Sequence, residues 1–222
     1  MRKAKKTKKK NGTSARQKKM GTKTTQKKAA PPPQPSADEL FEHAEAVRLS
    51  ARALTPLSVQ GPWHTVSQGV LGLLALELYL KSFIREEKKS YPNTHKIKSL
   101  FSALEAPHQL RIRQLAAPFI EGDALTADKN WGPPTSPKMA AAKAYQIAQL
   151  SDFDKILKFS DDAFVAIRYR FEKANRAKAN WGAGSILEAT RQAILELHPE
   201  WATLLEAAYE RIAPGSQTFM HK

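Results

Sequence analysis

One acidic residue interrupts the most apolar stretch of the chain. Glu77 lies in the run LGLLALELYLKSFI, which begins at Leu71, and on a helix it shares a face with leucine and isoleucine side chains. A carboxylate in that setting is costly unless a cation or a hydrogen-bond donor pairs with it. Lys81 follows one turn later in the favourable acid-before-base order, and His95 or Arg168 could supply a second partner. The alternative is that Glu77 reaches the edge of the fold and forms its ion pair in solvent.

Few other residues have the types and spacing of a catalytic or metal site. Glu39 and His43 stand four residues apart, but one carboxylate–imidazole pair without a third ligand more often makes a surface contact than a metal site. The chain has no cysteine, which excludes disulfides, thiolate zinc sites and cysteine nucleophiles. It contains no Walker loop and no GxGxxG sequence, which argues against the common nucleotide-dependent enzymes. We therefore predict no cofactor.

Helix signals begin at Ser36. The sequence SADE is a capping box, with Ser36 as the N-cap and Glu39 three residues later, and apolar residues then recur at steps of three and four until Pro56. A second helix is expected from about Val66 to Glu87. Because it is apolar on nearly every side, it should be central.

Later helices are marked by prolines and by capping residues. We expect helix starts near Thr94, at Pro107, at Ser136-Pro137 and at the second capping box, SILE, which begins at Ser185. Residues 121–138 are predicted to be the longest loop, and Phe119 and Tyr145 are expected to face the core. No alternating strand pattern and no internal repeat is present. The sequence therefore predicts an all-α fold.

The positive charge is concentrated near the N-terminus. Residues 1–30 hold 13 of the 36 Lys and Arg residues and no acid, whereas the remainder has 23 bases against 21 acids. We expect this Lys-rich tail to be disordered and to bind phosphate backbones by counterion release, without sequence preference. A nuclear-import signal, an anionic membrane surface or a merely solubilising extension are alternatives. The lysines assigned to nucleic-acid binding are Lys5, Lys6, Lys8, Lys9, Lys10, Lys18 and Lys19.

Composition also predicts the domain organisation and the location. A tail and Pro-rich spacer (1–35) should precede one helical domain (36–213) and a short flexible C-terminus (214–222). No apolar segment follows the basic N-terminus, so no signal peptide is expected. The longest apolar stretch, Val70 to Leu76, is far shorter than the roughly 20 residues that span a bilayer. We predict a soluble cytoplasmic protein, or a nuclear one if the organism is eukaryotic.

Three segments in order carry a resemblance to a known family. They are LALELYLKSFI, THKIKSLFSAL and FVAIRYRFE, and together they resemble the HEPN (higher eukaryotes and prokaryotes nucleotide-binding) superfamily over roughly residues 40 to 210. The matching positions are Glu77, Leu80, Lys81, His95, Ile97, Arg168 and Tyr169.

This resemblance implies an all-α, up-and-down helical bundle of four or five helices that usually forms a homodimer. Many members act in RNA metabolism, toxin–antitoxin systems or phage defence. In this interpretation Glu77 is an inward polar anchor, and Lys81 with His95 or Arg168 satisfies it. The resemblance therefore favours a binding module for RNA or for a protein partner.

Catalytic HEPN proteins resemble metal-independent ribonucleases that use an Arg and a later His with four to six residues between them. There the His could act as general base or acid while the Arg stabilises charge on the phosphate. Here the segment YRFEKANRAKAN, which follows Arg168, contains no histidine. One literal match occurs elsewhere, Arg191 and His198 in RQAILELH, a spacing that chance alone would supply in this composition.

Three functions are consistent with these observations. The first is a non-catalytic HEPN-like binding module that contacts RNA or a protein, in a defence or toxin–antitoxin-type role. The second is a metal-independent ribonuclease that uses Arg191 and His198. The third is a structural helical protein whose tail binds polyanions without specificity.

Overall fold

A computed structural model describes residues 33–54, 62–168 and 183–204 of the chain. Within these ranges the backbone is helical and contains no β-strand, so the predicted all-α helical fold is confirmed. None of the helices in this part of the chain is long and apolar enough to cross a membrane. The tail lysines, Tyr169 and the predicted flexible C-terminus lie outside the described residues, as does the side chain of Arg168.

The described residues form seven α-helices and one 3-10 turn. In chain order they are α1 (Ala37–Ala53), α2 (Pro62–Lys88), α3 (Ile97–Ala103), α4 (Ala106–Trp131), α5 (Pro137–Leu150), α6 (Phe153–Arg168), α7 (Ala183–Leu197) and a 3-10 turn (Pro199–Trp201). The second helix thus begins four residues earlier than predicted, and the third begins three residues later.

Helix α2 is the centre of the core, as its composition predicts. Leu73, Leu76, Leu80 and Ile84 are all almost fully buried. This helix packs against α1 and α7, and α7 in turn packs against α4. The short helix α3 covers α2 with Ile97, Leu100 and Phe101, three buried residues.

The first capping box is present and the second is not. Ser36 Oγ accepts a hydrogen bond from the backbone N–H of Glu39, whose carboxylate accepts one from the Ser36 N–H at 2.8 Å. Ser185 was predicted to cap a helix in the same way, and this prediction is wrong because α7 already includes Ala183. The Ser185 hydroxyl instead donates to the carboxylate of Asp123 on α4.

The predicted loop 121–138 is largely helical, which corrects the sequence-based expectation. Helix α4 continues through Pro118 to Trp131, so that only residues 132–136 connect it to α5. Contacts with α5 hold this half of the helix: Lys143 Nζ lies 2.8 Å from Asp128 Oδ1, and Trp131 Nε1 donates to Gln146 Oε1 at 3.0 Å. Tertiary contacts here outweigh weak intrinsic helix propensity.

Two aromatic residues expected in the core are exposed. Phe119 is 43% exposed and Tyr145 is 70% exposed. The buried side of α4 is formed by Ile112, Ala116 and Ile120, and Phe119 stands at the edge of this stripe, where it is only partly covered.

We predict that Ser36→Ala lowers the free energy of unfolding by about 1 kcal/mol, because the substitution removes the side-chain oxygen that accepts a hydrogen bond at the start of α1. Urea unfolding followed by circular dichroism measures this loss. Ser102→Ala is the control, since Ser102 is an exposed residue of α3. Equal midpoints for the two variants would show that the capping box contributes nothing.

Candidate functional site

The structure places Glu77 inside the fold rather than at its edge. Its side chain is 3% exposed. Lys81 Nζ lies 2.6 Å from Glu77 Oε1, and His95 Nδ1 lies 2.9 Å from the same oxygen. We call these three residues the Glu77 cluster. The alternative of a solvated ion pair at the edge is therefore wrong, and both contacts expected from the sequence are present.

Local structure explains how the Glu77 cluster forms. Glu77 and Lys81 stand one turn apart on α2, and His95 lies on the connection that leads into α3. The Lys81 ammonium also lies 5.5 Å from the centre of the Tyr91 ring, within the range of a cation–π contact. Among the described residues Glu77 Oε2 has no hydrogen-bond partner, and the side chain of Arg168, the other predicted partner, is outside that set. The role of this cluster as a family motif stays a prediction.

A second buried ion-pair cluster was not predicted from the sequence. Glu45 on α1 is fully buried. Its Oε1 accepts hydrogen bonds from the Tyr79 hydroxyl and from Arg191 Nε, both at 2.5 Å, and its Oε2 accepts one from an Arg48 terminal nitrogen at 3.0 Å. Another Arg48 terminal nitrogen donates to Glu188 at 3.2 Å. We call these five residues the Glu45 cluster; they join α1, α2 and α7.

Electrostatics keep the Glu45 cluster in one protonation state. Burial, followed by the neighbouring Glu45 carboxylate, raises the pKa of Tyr79 far above its usual value, so its hydroxyl stays protonated and donates. Burial alone would lower the pKa of Arg48, but the nearby Glu45 and Glu188 carboxylates outweigh it and raise that pKa. Tyr79 and Arg48 therefore hold their protons at neutral pH and have none available for acid–base chemistry.

One signal in the sequence could have revealed Glu45. The apolar stripe read from α1 includes Val47, which is only half-buried. Glu45 and Arg48 are buried instead, together with Phe41 and Ala44. An acid and a base three residues apart beside Phe41 are the local sign of a buried pair.

The candidate ribonuclease residues Arg191 and His198 have separate partners. Arg191 Nε is bound by Glu45. His198 Nδ1 lies 3.1 Å from Glu200 Oε1, and its ring stacks on Trp201 with centroids 4.2 Å apart. Seven residues correspond to about 10.5 Å along a helix axis, and His198 follows the last residue of α7. The described contacts therefore do not bring the two side chains to one phosphate.

The described residues also contain a cavity beside the Glu45 cluster. Its volume is about 230 Å³, and it lies between α1, the N-terminal half of α2 and the start of α7. Four polar side chains line it, namely Arg48, Arg52, Gln68 and Glu188; glycine, alanine and leucine supply the remaining wall. No group of three or more acidic or His side chains that could hold a metal ion occurs within the described ranges.

Comparison with known proteins found no matching family model, no matching curated protein and no matching solved structure. Functional inference therefore depends on the residues and contacts of this chain.

We predict that Glu77→Ala lowers the free energy of unfolding by about 3–5 kcal/mol, because it leaves the buried Lys81 ammonium without its carboxylate. Thermal or urea unfolding measures the change. Glu86→Ala is the control on the same helix, since Glu86 is 43% exposed and lies 4.0 Å from Lys89. Such an exposed pair contributes at most about 1 kcal/mol. Equal losses for the two variants would contradict a buried anchor at Glu77.

Glu45→Gln should be destabilising to a similar extent, about 3–5 kcal/mol, because Arg48 and Arg191 would lose their shared carboxylate inside the fold. The matched control is Glu196→Gln. Glu196 binds Arg111 through two contacts of 2.7 Å, but its side chain is 37% exposed. Urea unfolding of both variants should show a loss at Glu45 several times larger than at Glu196. An equal or smaller loss at Glu45 would contradict the assigned role of the cluster.

Proposed function

We propose that the protein is a non-catalytic, HEPN-like helical module that binds RNA through its Lys-rich tail. The observation that carries this proposal is the uneven charge distribution. Residues 1–30 contain 13 bases and no acid, whereas the rest of the chain is close to neutral. A dense array of lysines releases condensed counterions when it meets a phosphate backbone, which gives affinity without sequence preference.

Contacts within the helical domain support the assignment of polyanion binding to the tail. Arg48 and Arg191 bind the Glu45 carboxylate. Arg111 binds Glu196, and Arg113 binds Asp154 at 2.8 Å. These guanidinium groups already lie against carboxylates that offset their charge, whereas the lysines of residues 1–30 have no acid within that segment.

The same contacts support the non-catalytic part of the proposal. A ribonuclease of the type considered needs its His and Arg to converge on one phosphate. Arg191 is engaged by Glu45, and His198 is engaged by Glu200 and Trp201. We accordingly propose binding without cleavage. By resemblance to the HEPN superfamily, the proposal includes a homodimer in the cytoplasm, with a role in defence or toxin–antitoxin-type regulation.

RNA binding should weaken steeply with salt. If about seven lysines contact phosphates of a single strand, the affinity should fall about 10³-fold between 50 and 200 mM salt. Fluorescence anisotropy with a labelled single-stranded RNA measures this dependence. Replacing Lys5, Lys6, Lys8, Lys9, Lys10, Lys18 and Lys19 by Gln should remove most of the affinity and most of the salt dependence.

The control changes the same number of charges on the helical domain. Lys89, Lys96, Lys98, Lys129, Lys138, Lys155 and Lys158 are exposed residues of the described part, and their replacement by Gln should have a much smaller effect. Equal losses for the two variants would show that the tail has no special role.

Metal-independent cleavage of the RNA that disappears in His198→Ala would overturn the non-catalytic assignment and favour the ribonuclease. Absence of binding in the unmodified protein would favour a purely structural role.

A further inference from the structure

The cavity between α1, α2 and α7 has the features of a small-molecule site. Binding pockets are concave and mostly apolar, with a few polar groups that orient the ligand. Here Leu73 and Leu187 supply apolar wall, and Arg48 supplies a charged group that is itself 5% exposed. Core packing alone does not require a buried charged side chain next to an open cavity.

The hydrogen bonds of Arg48 leave part of its guanidinium available. This group carries five N–H donors. Nε and one terminal nitrogen each donate to Glu45, and the other terminal nitrogen donates once to Glu188. Two N–H donors therefore have no partner among the described residues. A ligand oxygen in the cavity could accept from them.

The charge balance around the cavity favours an anion. Arg52 lines the cavity on an exposed position of α1 and forms no ion pair with another residue of the described ranges. Arg48 pairs with Glu45 and Glu188, and Arg191 pairs with Glu45. Among the described residues, these two arginines and Arg52 thus face two carboxylates, and the excess charge lies with Arg52.

The size and the glycine content of the cavity fit a small ring with an acidic group. Its volume is about 230 Å³, whereas an apolar cavity of about 150 Å³ is large enough to bind benzene. Gly72 and Gly184 line the cavity, and a Cβ added at either would meet nothing within 4 Å. The open space therefore reaches the helix backbones at these two positions.

We propose that this cavity binds a small organic anion. Its carboxylate or phosphate group would accept hydrogen bonds from Arg48 and pair with Arg52, and its apolar part would lie against Leu73 and Leu187. This activity is separate from RNA binding by the Lys-rich tail, and either can fail without the other.

The test uses the full-length protein with two probes, 4-fluorobenzoate and inorganic phosphate. Fluorine NMR line broadening should show 4-fluorobenzoate binding, and displacement by phosphate would identify the anionic group as sufficient for recognition. Gly72→Leu should weaken 4-fluorobenzoate binding about tenfold or more, because its side chain would occupy the cavity, while the loss of a helical glycine favours folding. Arg52→Gln should weaken it about twofold to fivefold, as expected for one exposed charge pair.

Gly122→Leu is the matched control. Gly122 is an exposed glycine of α4 at which an added Cβ also meets nothing within 4 Å, and it does not line the cavity. The control should bind 4-fluorobenzoate as the unmodified protein does, which also accounts for any binding of the probe to the tail. If neither probe binds, or if Gly72→Leu and Gly122→Leu bind equally, the proposal is wrong. Should Gly72→Leu fail to fold by circular dichroism, an unchanged affinity in Arg52→Gln would overturn it instead.

Discussion

A single fully buried carboxylate sets the arrangement of three helices. Glu45 on α1 accepts hydrogen bonds from Arg48 of the same helix, Tyr79 of α2 and Arg191 of α7. A buried ionised carboxylate is tolerated only when its partners are correctly placed. A shift or rotation of α2 or α7 against α1 would separate the charges inside the fold. Hydrophobic packing alone permits many near-equivalent helix arrangements, so we infer that this cluster selects one of them.

Helix α2 carries two such constraints. Tyr79 contributes to the Glu45 cluster, and Glu77 forms the Glu77 cluster with Lys81 and His95. Glu77 and Tyr79 are two residues apart, and residues at this spacing point to nearly opposite sides of a helix. The two clusters therefore fix α2 against different neighbours. The Glu45 cluster joins it to α1 and α7, and the Glu77 cluster joins it to the connection before α3. A helix that is otherwise apolar thereby acquires a defined rotation.

The two clusters differ in how far the sequence could predict them. Glu77 and Lys81 are four residues apart, and a lone acid in an apolar run demands a nearby partner, so local reasoning was sufficient. Glu45 has partners 34 and 146 residues away, and helical periodicity carries no information on which distant side chains meet.

The extension of α4 to Trp131 was missed for the same reason, since its stabilising contacts come from Lys143 and Gln146. Cap signals succeeded at Ser36 and Ser136, where the partner lies three residues away, and failed at Ser185, whose hydroxyl bonds to Asp123.

The distribution of cations links these constraints to function. Several arginines of the domain form ion pairs with carboxylates, and the pairs of Arg48 and Arg191 with Glu45 hold helices in place. A phosphate that pulled either guanidinium away from Glu45 would break a buried ion pair, which is strongly destabilising. Residues 1–30 contain no acid, so the RNA contacts proposed for their lysines would break no ion pair with an acid of that segment. Within the domain, Arg52 borders the cavity and forms no ion pair with another described residue. Its neighbour Arg48 retains two N–H donors that have no partner among the described residues. Both binding proposals therefore use cations whose recruitment breaks none of the buried ion pairs in the described part of the chain.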